Sequence, residues 1–489
     1  MTKKCTLERK GKINLAMEFI VPGMQVDESD VGTRSTNQLS LAAIGIVGTF
    51  EKGPVNIPTT VGNDTQYRKI FGNDGDYTGP KTVAGCFANG ANDLRIVRIV
   101  GDDAAAASLE LKGADDAPSM ILTASSVGKW GNELKASVEV NNNNTVNITV
   151  TNGDSAEVFK NVILSDLPKK KGLATLSKAE GAEILPIRME STALTGGSDG
   201  SAVTDKDYIG EISSSGKRSG LKALEPVQVG LGICAQQYSE QIHLALISWA
   251  QNCDIDEGLR IPILNTKPGI GIDEAVTQTV KLAPDNGRGI FVYPWVTPED
   301  QEDDEYFVAP DGYYAGRLAS LNPCQSPSNK PIYGIRQTEN NYTYAEVKVL
   351  TQGRISPITL VPNRGFRIRN GVTLSSDTAW GQTNIRRQQD KMEMELYDGL
   401  QWAISENHDE KLWRQIATQA DAYLRTQQDL GFIYGFLPTL CNKETNPDEN
   451  IIARILTFIV RWKPYYAADY LIMRIKRELP SATDSSSNS

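Results

Sequence analysis

The sequence contains few of the residues from which active sites are usually built. It has only two histidines, His243 and His408, in 489 residues, and neither lies in a motif typical of a catalytic triad, so we interpret both as structural. The six cysteines are widely spread and no two form a Cys-x-x-Cys pair, which disfavours a zinc site and favours free thiols in a reducing compartment. We therefore expect no catalytic residue, no metal site and no cofactor.

The sequence also lacks a membrane-spanning run, a secretion signal and an excess of positive charge. Its apolar runs are far shorter than the ~20 residues that cross a bilayer, and its N-terminus is charged rather than apolar. A formal net charge of −10 argues against nucleic acid as a partner, which would require a basic surface. The glycines of residues 45–53 match neither a dinucleotide fingerprint nor a P-loop. These patterns predict a protein made in the cytoplasm that does not insert into a membrane.

Changes in composition along the chain predict several domains. Strands and helices alternate in residues 205–345, as in a partly parallel sheet covered by helices. Residues 102–199 instead show short alternating strands with Asn-rich turns, typical of an antiparallel β unit, and end in a Gly/Ser-rich linker. The predicted fold class is multidomain α+β, with a mixed α/β core, a C-terminal α/β domain, an inserted antiparallel β domain and extended terminal strand arms. The predicted boundaries are an N-terminal arm at 1–22, the α/β core at 23–101 and 200–345, the inserted outer β domain at 102–199, the C-terminal inner domain at 346–464, and a C-terminal arm with a disordered tail at 465–489.

The α/β stretch 205–345 leaves an alternative function open. A sheet of this kind can hold a small-molecule site at its strand ends, so an α/β enzyme is the competing prediction. The acidic run at 299–305 would suit a cation, but it lacks the spacing and the glycine of an EF-hand loop, which favours a solvated loop. A β-rich adhesin or capsid protein is a third class, which the helical C-terminal block disfavours.

Residues 380–479 predict two amphipathic helices followed by two strands. Ile385, Met392 and Leu400 recur at helical spacing in the first helix, and Arg387 falls on the opposite face. The second helix is predicted to begin near Asn407. This block contains no group of residues typical of a catalytic site, and its pattern favours helix packing and strand pairing.

Each end of the chain carries a strand-forming segment with one apolar face. A lone terminal strand is not stable by itself, so each segment must complete the edge of a sheet. Pairing within the same domain and pairing with another chain both remain open. The residues of these two faces are Ile13, Leu15, Met17 and Phe19 near the N-terminus, and Leu471, Met473 and Ile475 near the C-terminus.

Six stretches follow one another along most of the chain: FIVPGMQVDESD, AIGIVGTFEKGPVNIPTTVGNDTQYRKIFG, GKWGNEL, VAPDGYYAGRLASLNP, NIRRQQDKMEMELYDGLQWAISENHDEKLWRQI and LCNKETNPDENI. In this order and at these separations they resemble the contractile tail sheath family of phages, pyocin-like particles and related injection systems. The most distinctive stretch is the Asn-x-Arg-Arg helix with the QWA-x-x-E-N and LW motifs after it. The region LTQGRISPITLVPNRGFRIRNGVTL departs from the family pattern, and the first 18 residues extend beyond its usual opening.

The resemblance implies a structural role in a virion tail that is assembled in the host cytoplasm. Proteins of this family stack as hexameric rings around an inner tube, and the assembled cylinder contracts to drive the tube into a target envelope. The implied partners are other copies of the chain, the inner tail tube protein, and baseplate and neck or terminator proteins. The resemblance also implies that terminal arms add strands to a sheet of a neighbouring subunit.

Tube contact would fall to a helix of the C-terminal block. Two sets of basic residues are candidates for it, and a merely solvated helix face is the alternative for either set. The first set is Arg386, Arg387 and Lys391, and the second is Lys411, Arg414 and Arg425.

Overall fold

The structure, a computed structural model, describes most of the chain. It covers residues 41–72, 76–153, 155–168, 172–253, 258–282, 287–469 and 471–477. The predicted N-terminal arm, with Ile13, Leu15, Met17 and Phe19, lies outside the described residues, as does the tail after residue 477.

The strands, in chain order, are β1 (Ile44–Thr49), β2 (Thr59–Val61), β3 (Leu94–Ile99), β4 (Ser108–Lys112), β5 (Pro118–Ala124), β6 (Lys135–Val140), β7 (Val146–Asn152), β8 (Ser155–Val162), β9 (Ala174–Lys178), β10 (Met189–Ala193), β11 (Leu231–Cys234), β12 (Ile261–Asn265), β13 (Ile290–Tyr293), β14 (Val296–Pro298), β15 (Ile335–Thr338), β16 (Ile355–Val361), β17 (Gly365–Ile368), β18 (Gly435–Leu440) and β19 (Ile459–Lys463). The α-helices are α1 (Asp64–Phe71), α2 (Thr78–Ala88), α3 (Asp205–Ile209), α4 (Glu240–Gln251), α5 (Ile272–Leu282), α6 (Asp311–Ala319), α7 (Tyr344–Gln352), α8 (Thr383–Leu400), α9 (Glu410–Asp429) and α10 (Asp448–Ile452).

The largest sheet has eight strands and a parallel centre. Its order is β17-β16-β13-β12-β11-β1-β3-β2, and the two edge strands β17 and β2 are antiparallel to their neighbours. Strands that are buried on both faces are apolar along their whole length, as β1 (IGIVGT) and β12 (IPILN) are. The β-α-β alternation predicted for residues 205–345 is confirmed by the parallel neighbours β11, β12 and β13.

Helices cover both faces of this sheet, so successive residues of a strand enter different cores. Ile46 of β1 packs with Val83 of α2 on one face. Val47, the next residue, packs with Ile242 of α4 on the other face. This alternation follows from the two-residue repeat of a strand.

The core sheet extends further along the chain than the sequence predicts. Strands β16 and β17 complete it, so residues 355–368 belong to the core and not to an inner domain that begins at 346. Strand β16 is buried over its first five residues and pairs in parallel with β13. Its partner lies far back in the chain, and a local apolar pattern does not reveal such a pairing. The other predicted boundaries stay predictions.

Residues 108–193 form two small antiparallel sheets around a shared core, here called the inserted unit. One sheet has the order β4-β5-β9 and the other β10-β6-β7-β8. Leu122, Ile148 and Phe159 meet between them. Trp130 is buried in the same core and donates from Nε1 to Ser126 Oγ at 3.1 Å. The predicted antiparallel β character of this stretch is confirmed.

The segment 195–201 is not the flexible linker that its glycines and serines predict. It runs antiparallel to residues 101–108, where Ala105 N donates to Ser198 O at 2.9 Å and Ser108 N donates to Thr195 O at 2.8 Å. The two connections of the inserted unit therefore form one paired ribbon. Composition alone misses this because the bonds are between backbone groups, which every residue type carries.

A buried arginine fastens the inserted unit to the core. The guanidinium group of Arg98, on β3, donates to the carbonyl oxygens of Phe50, Glu51, Gly53 and Val127 at 2.9, 3.1, 3.0 and 2.9 Å. Burial lowers the pKa of Arg98 to about 10, so the group stays charged at neutral pH. Val127 follows β5 in the inserted unit, whereas the other three carbonyls follow β1 in the core. One side chain thus holds both parts together.

We predict that Arg98→Lys lowers the free energy of unfolding by about 2–4 kcal/mol, because a lysine cannot donate to four carbonyl groups that stay buried. Arg95→Lys on the same strand is the matched control, since Arg95 is partly exposed and pairs with Asp93 at 2.9 Å. The control substitution should lower the free energy of unfolding by less than about 1 kcal/mol. Urea unfolding followed by tryptophan fluorescence measures both variants, and equal midpoints would contradict the role assigned to Arg98.

Candidate assembly interface

The first helix of the C-terminal block, α8, is enclosed rather than amphipathic. Its predicted apolar stripe is buried, but so are the polar side chains of Arg386, Arg387 and Asp390. The core contacts one side of α8 through Arg288, and α9 with the strands β18 and β19 covers another side. The helix is therefore the layer that joins the core to the rest of the C-terminal block.

Asp390 is the centre of a buried ion network on this helix. Arg288 donates from Nη1 and Nη2 to Oδ2 and Oδ1 of Asp390 at 3.1 and 3.0 Å. Arg386, one helical turn earlier, donates from Nε to Oδ1 at 3.0 Å and lies over the ring of Trp380 at 4.4 Å. The three charged side chains are at most 8% exposed. Because Arg288 lies two residues before β13, the network links the C-terminal helices to the core sheet.

The first of the two predicted tube-facing sets is wrong. Arg386 and Arg387 are only 5% and 2% exposed. Lys391 is also largely covered, with its side chain 11% exposed and its Nζ 4.5 Å from the centre of the Phe432 ring. Burial lowers the pKa of Arg387 to about 10. The prediction failed because helical periodicity assigns a polar face to solvent, whereas a further layer of protein covers this one.

The second helix, α9, begins two residues later than predicted. Asp409, rather than Asn407, caps it, and its Oδ1 accepts a hydrogen bond from Leu412 N at 2.8 Å. Leu412, Ile416 and Leu424 are buried. The predicted amphipathic character of this helix is confirmed, although Leu430 at its end is 53% exposed.

The opposite face of α9 presents a basic stripe, defined here as Lys411, Arg414 and Arg425. All three residues are exposed. At 100° per residue they lie within about 60° of one another around the helix axis. The Arg414 side chain is 76% exposed and its ion pair with Glu410 spans 3.7 Å, which is a weak interaction in water. The positive charge of the stripe is therefore available to a partner.

Strands β18 and β19 form a small hairpin sheet with open edges. They pair antiparallel, with Gly435 opposite Lys463 and Phe436 opposite Trp462, and no third strand joins them among the described residues. One side packs against α8, where Trp462 Nε1 donates to Gln389 Oε1 at 2.6 Å. An isolated pair of strands is marginally stable, and each open edge offers backbone groups to a further strand.

The chain continues beyond this hairpin into an exposed apolar segment at 471–477. Leu471, Met473 and Ile475 are 92%, 75% and 85% exposed. These residues belong to no strand in the described part of the chain. An apolar surface this open marks a site that another protein surface covers.

The strand ends of the core, where a small-molecule site would lie, are filled by Asp311. This residue is fully buried at the start of α6 and accepts hydrogen bonds from Thr82 Oγ1 at 2.9 Å, Gln236 N at 3.0 Å and Asn265 Nδ2 at 2.9 Å. Burial raises the pKa of Asp311 and lowers that of the nearly inaccessible His243 to about 4. The hydrogen bonds of Asp311 hold β11, β12, α2 and α6 together.

Two further features are absent from the described residues. None of the helices there is both long enough and apolar enough to span a membrane. The same residues contain no grouping of three or more His, Cys, Asp or Glu side chains suited to a metal ion.

The C-terminal block also matches known proteins. Residues 375–477, which include α8, α9 and the hairpin, match the family model of the phage tail sheath C-terminal domain. A prophage major tail sheath protein of Pseudomonas aeruginosa (strain UCBPP-PA14) is 25% identical over 266 residues, which cover 52% of this chain and 67% of that protein. Residues 375–477 thus resemble a phage tail sheath C-terminal domain, and the chain is similar to contractile tail sheath proteins.

Solved structures of sheath proteins share the fold of this chain. The sheath tail protein from Listeria innocua has a TM-score of 0.66 at 15% identity and covers 88% of this chain and 93% of its own. A chain of the PVC sheath complex, an extracellular contractile injection system in its contracted state, has a TM-score of 0.58 at 14% identity and covers 95% of this chain and 99% of its own. The predicted mixed α/β architecture with several sheets is confirmed. The proteins to which the chain is similar are tail sheath proteins, which are structural proteins.

We predict that Asp390→Asn lowers the free energy of unfolding of the protein by about 3–5 kcal/mol, because two buried guanidinium groups lose their carboxylate. Glu393→Gln on the same helix is the matched control. Its carboxylate is 38% exposed and lies 3.6 Å from Arg386, so its loss should cost less than about 1 kcal/mol. Urea unfolding of both variants tests this. Similar losses in the two would show that the buried network is not what holds α8.

Proposed function

We propose that this chain is the subunit of a contractile sheath that polymerises as stacked hexameric rings around an inner tube and contracts to drive the tube through a target cell envelope. The observation that carries the proposal is the exposed segment 471–477 beside a hairpin with open edges. Within the described ranges, one chain thus has both a strand-forming segment without a partner strand and a sheet that can accept more strands. Exchange of these segments between copies would give each segment a partner strand and would fill an open edge of each hairpin.

Strand exchange would provide both the affinity between neighbouring subunits and the register of the paired strands. Burial of each of the side chains Leu471, Met473 and Ile475 against a neighbour is worth about 1.5–3 kcal/mol, and the backbone hydrogen bonds fix the register. Arg474 and Lys476 alternate with them along the segment and would stay at the rim. The N-terminal arm is proposed to add a further strand from another neighbour. Its apolar residues are Ile13, Leu15, Met17 and Phe19.

Contraction is proposed to move subunits about their arms and not to rearrange their interiors. Arg98 and Asp390 are buried ties within the subunit, and separating a buried charge from its partners costs several kcal/mol. The segments at 464–468 and 22–23 would act as hinges next to the arms. The driving energy lies in the difference between two packings of the same subunits, of which the extended one is kinetically trapped, so the step needs no nucleotide.

The inner tail tube protein is the proposed partner of the basic stripe on α9. Each exposed ion pair there is worth only about 0–1 kcal/mol, but repetition around a ring makes the total large while each contact can still release. The likeness to a contracted sheath supports self-assembly. Baseplate and neck or terminator proteins are proposed as partners at the two ends, in a virion tail assembled in the host cytoplasm.

Removal of residues 465–489 should abolish self-assembly, because the open hairpin loses its exchanged strand. Negative-stain electron microscopy of the purified full-length chain should show long tubes, and the truncated chain should show only small particles. Circular dichroism controls for folding. Tubes of equal length from both chains would contradict the assignment of an essential arm to the C-terminus.

Reversal of the basic stripe, Lys411→Glu with Arg414→Glu and Arg425→Glu, should prevent assembly on the tube while the fold is kept, since all three side chains are exposed. The control makes the same charge change on the inserted unit, at the exposed residues Lys135, Lys160 and Lys178. Co-expression with the tube protein and electron microscopy of the particles measure the effect. Normal sheathed tubes from the stripe variant would rule out this contact.

A further inference from the structure

The loop at 299–305 concentrates negative charge on the surface of the core. Six of its seven residues are Asp or Glu. Among the described residues only one of these carboxylates, that of Asp304, has an ion pair, with Arg336 at 2.7 Å. Asp303 accepts a hydrogen bond from Glu305 N at 2.9 Å, which shapes the loop without reducing its charge. The loop therefore keeps a strong negative potential towards solvent.

This loop is one wall of a groove with a volume of about 290 Å³, here called the acidic groove. Glu299, Asp300 and Gln301 of the loop line this groove together with Tyr306 and with Lys81 of α2. Lys81 Nζ is 5.3 Å from the centre of the Tyr306 ring. The groove thus already holds one ammonium group against an aromatic face. Carboxylates and an aromatic ring in one groove suit a basic peptide segment.

We propose that residues 3–12 of this chain dock in the acidic groove. This segment, KKCTLERKGK, has five basic residues and one acidic residue among ten, which complements the charge of the loop. It lies outside the described residues. The 28 residues between it and Leu41 span up to about 90 Å when extended, which is enough to reach the groove of its own subunit or of a neighbour.

Other basic surfaces fit the acidic groove less well. The basic stripe of α9 has three charges on a rigid helix, so their positions relative to one another cannot adapt to the groove. In the C-terminal segment, charged residues alternate with large apolar residues. A groove lined by carboxylates would place those apolar side chains against charge. Docking of residues 3–12 would anchor the free end of the N-terminal arm to a core domain, and it does not depend on contraction.

Cys5 lies inside the docking segment and allows a direct test in the full chain. Gln301→Cys places a second thiol in the wall of the acidic groove, and Thr418→Cys, on the exposed face of α9, is the matched control. Under mild oxidation at low ionic strength, the disulfide from Cys5 to the thiol introduced at position 301 should form at least tenfold faster than the disulfide from Cys5 to the thiol introduced at position 418. Mass spectrometry of the peptides identifies the linked positions, and Cys5→Ser should abolish the product.

The charge dependence of the disulfide decides whether the docking is electrostatic. Addition of 0.5 M NaCl, or Lys3→Glu with Lys4→Glu and Lys10→Glu, should slow the reaction between Cys5 and the thiol at position 301 at least fivefold, because screening or reversal removes the attraction. A product of monomer size places the segment on its own subunit and one of dimer size on a neighbour, and both support the proposal. Equal rates at positions 301 and 418, linkage of the thiol at position 301 to a cysteine other than Cys5, or insensitivity to salt and to charge reversal would overturn it.

Discussion

A single buried carboxylate determines how the two halves of this subunit sit against each other. Asp390 receives both terminal nitrogens of Arg288 from the core and the side chain of Arg386 from its own helix. A buried ion pair adds little net stability, but any movement that separates its partners leaves charge without solvent and costs several kcal/mol. The orientation of α8 relative to the core sheet is therefore fixed, and α9 and the hairpin, which pack on α8, are fixed with it.

The joint with the inserted unit uses the same chemistry with different partners. Arg98 has no carboxylate at the centre of its site and instead binds four carbonyl oxygens of two chain segments. Arginine suits both joints because its planar group offers several donors in fixed directions. The C-terminal segment differs, since Leu471 and Ile475 are 92% and 85% exposed in the part of the chain that the structure describes. The buried arginine contacts thus lie inside the subunit, whereas the exposed apolar segment lies near its C-terminus.

The sequence predicts a helix or strand correctly where a single hydrophobic repeat runs through the whole element. Strands β1 and β3 and helix α4 follow from their own apolar patterns, and the motif order indicates the family. Periodicity failed where a third layer altered the environment, as for Arg386 and Arg387, whose polar face is covered. It also failed for contacts between distant segments. The ribbon at 101–108 and 195–201 depends on backbone bonds, and the membership of β16 in the core depends on β13, so neither leaves a local signal.

The paired ribbon has a consequence for how proteins of this architecture can diverge. The chain leaves the core and returns to it at adjacent points, with Gly101 N 3.1 Å from Asp199 O. The core sheet is complete without any strand of the inserted unit. What lies between those two points can therefore grow, shrink or be exchanged for another compact unit without changing the order of the core strands. The inserted unit is in this sense a replaceable module on a constant frame, and it is the natural place to graft a reporter or a binding domain.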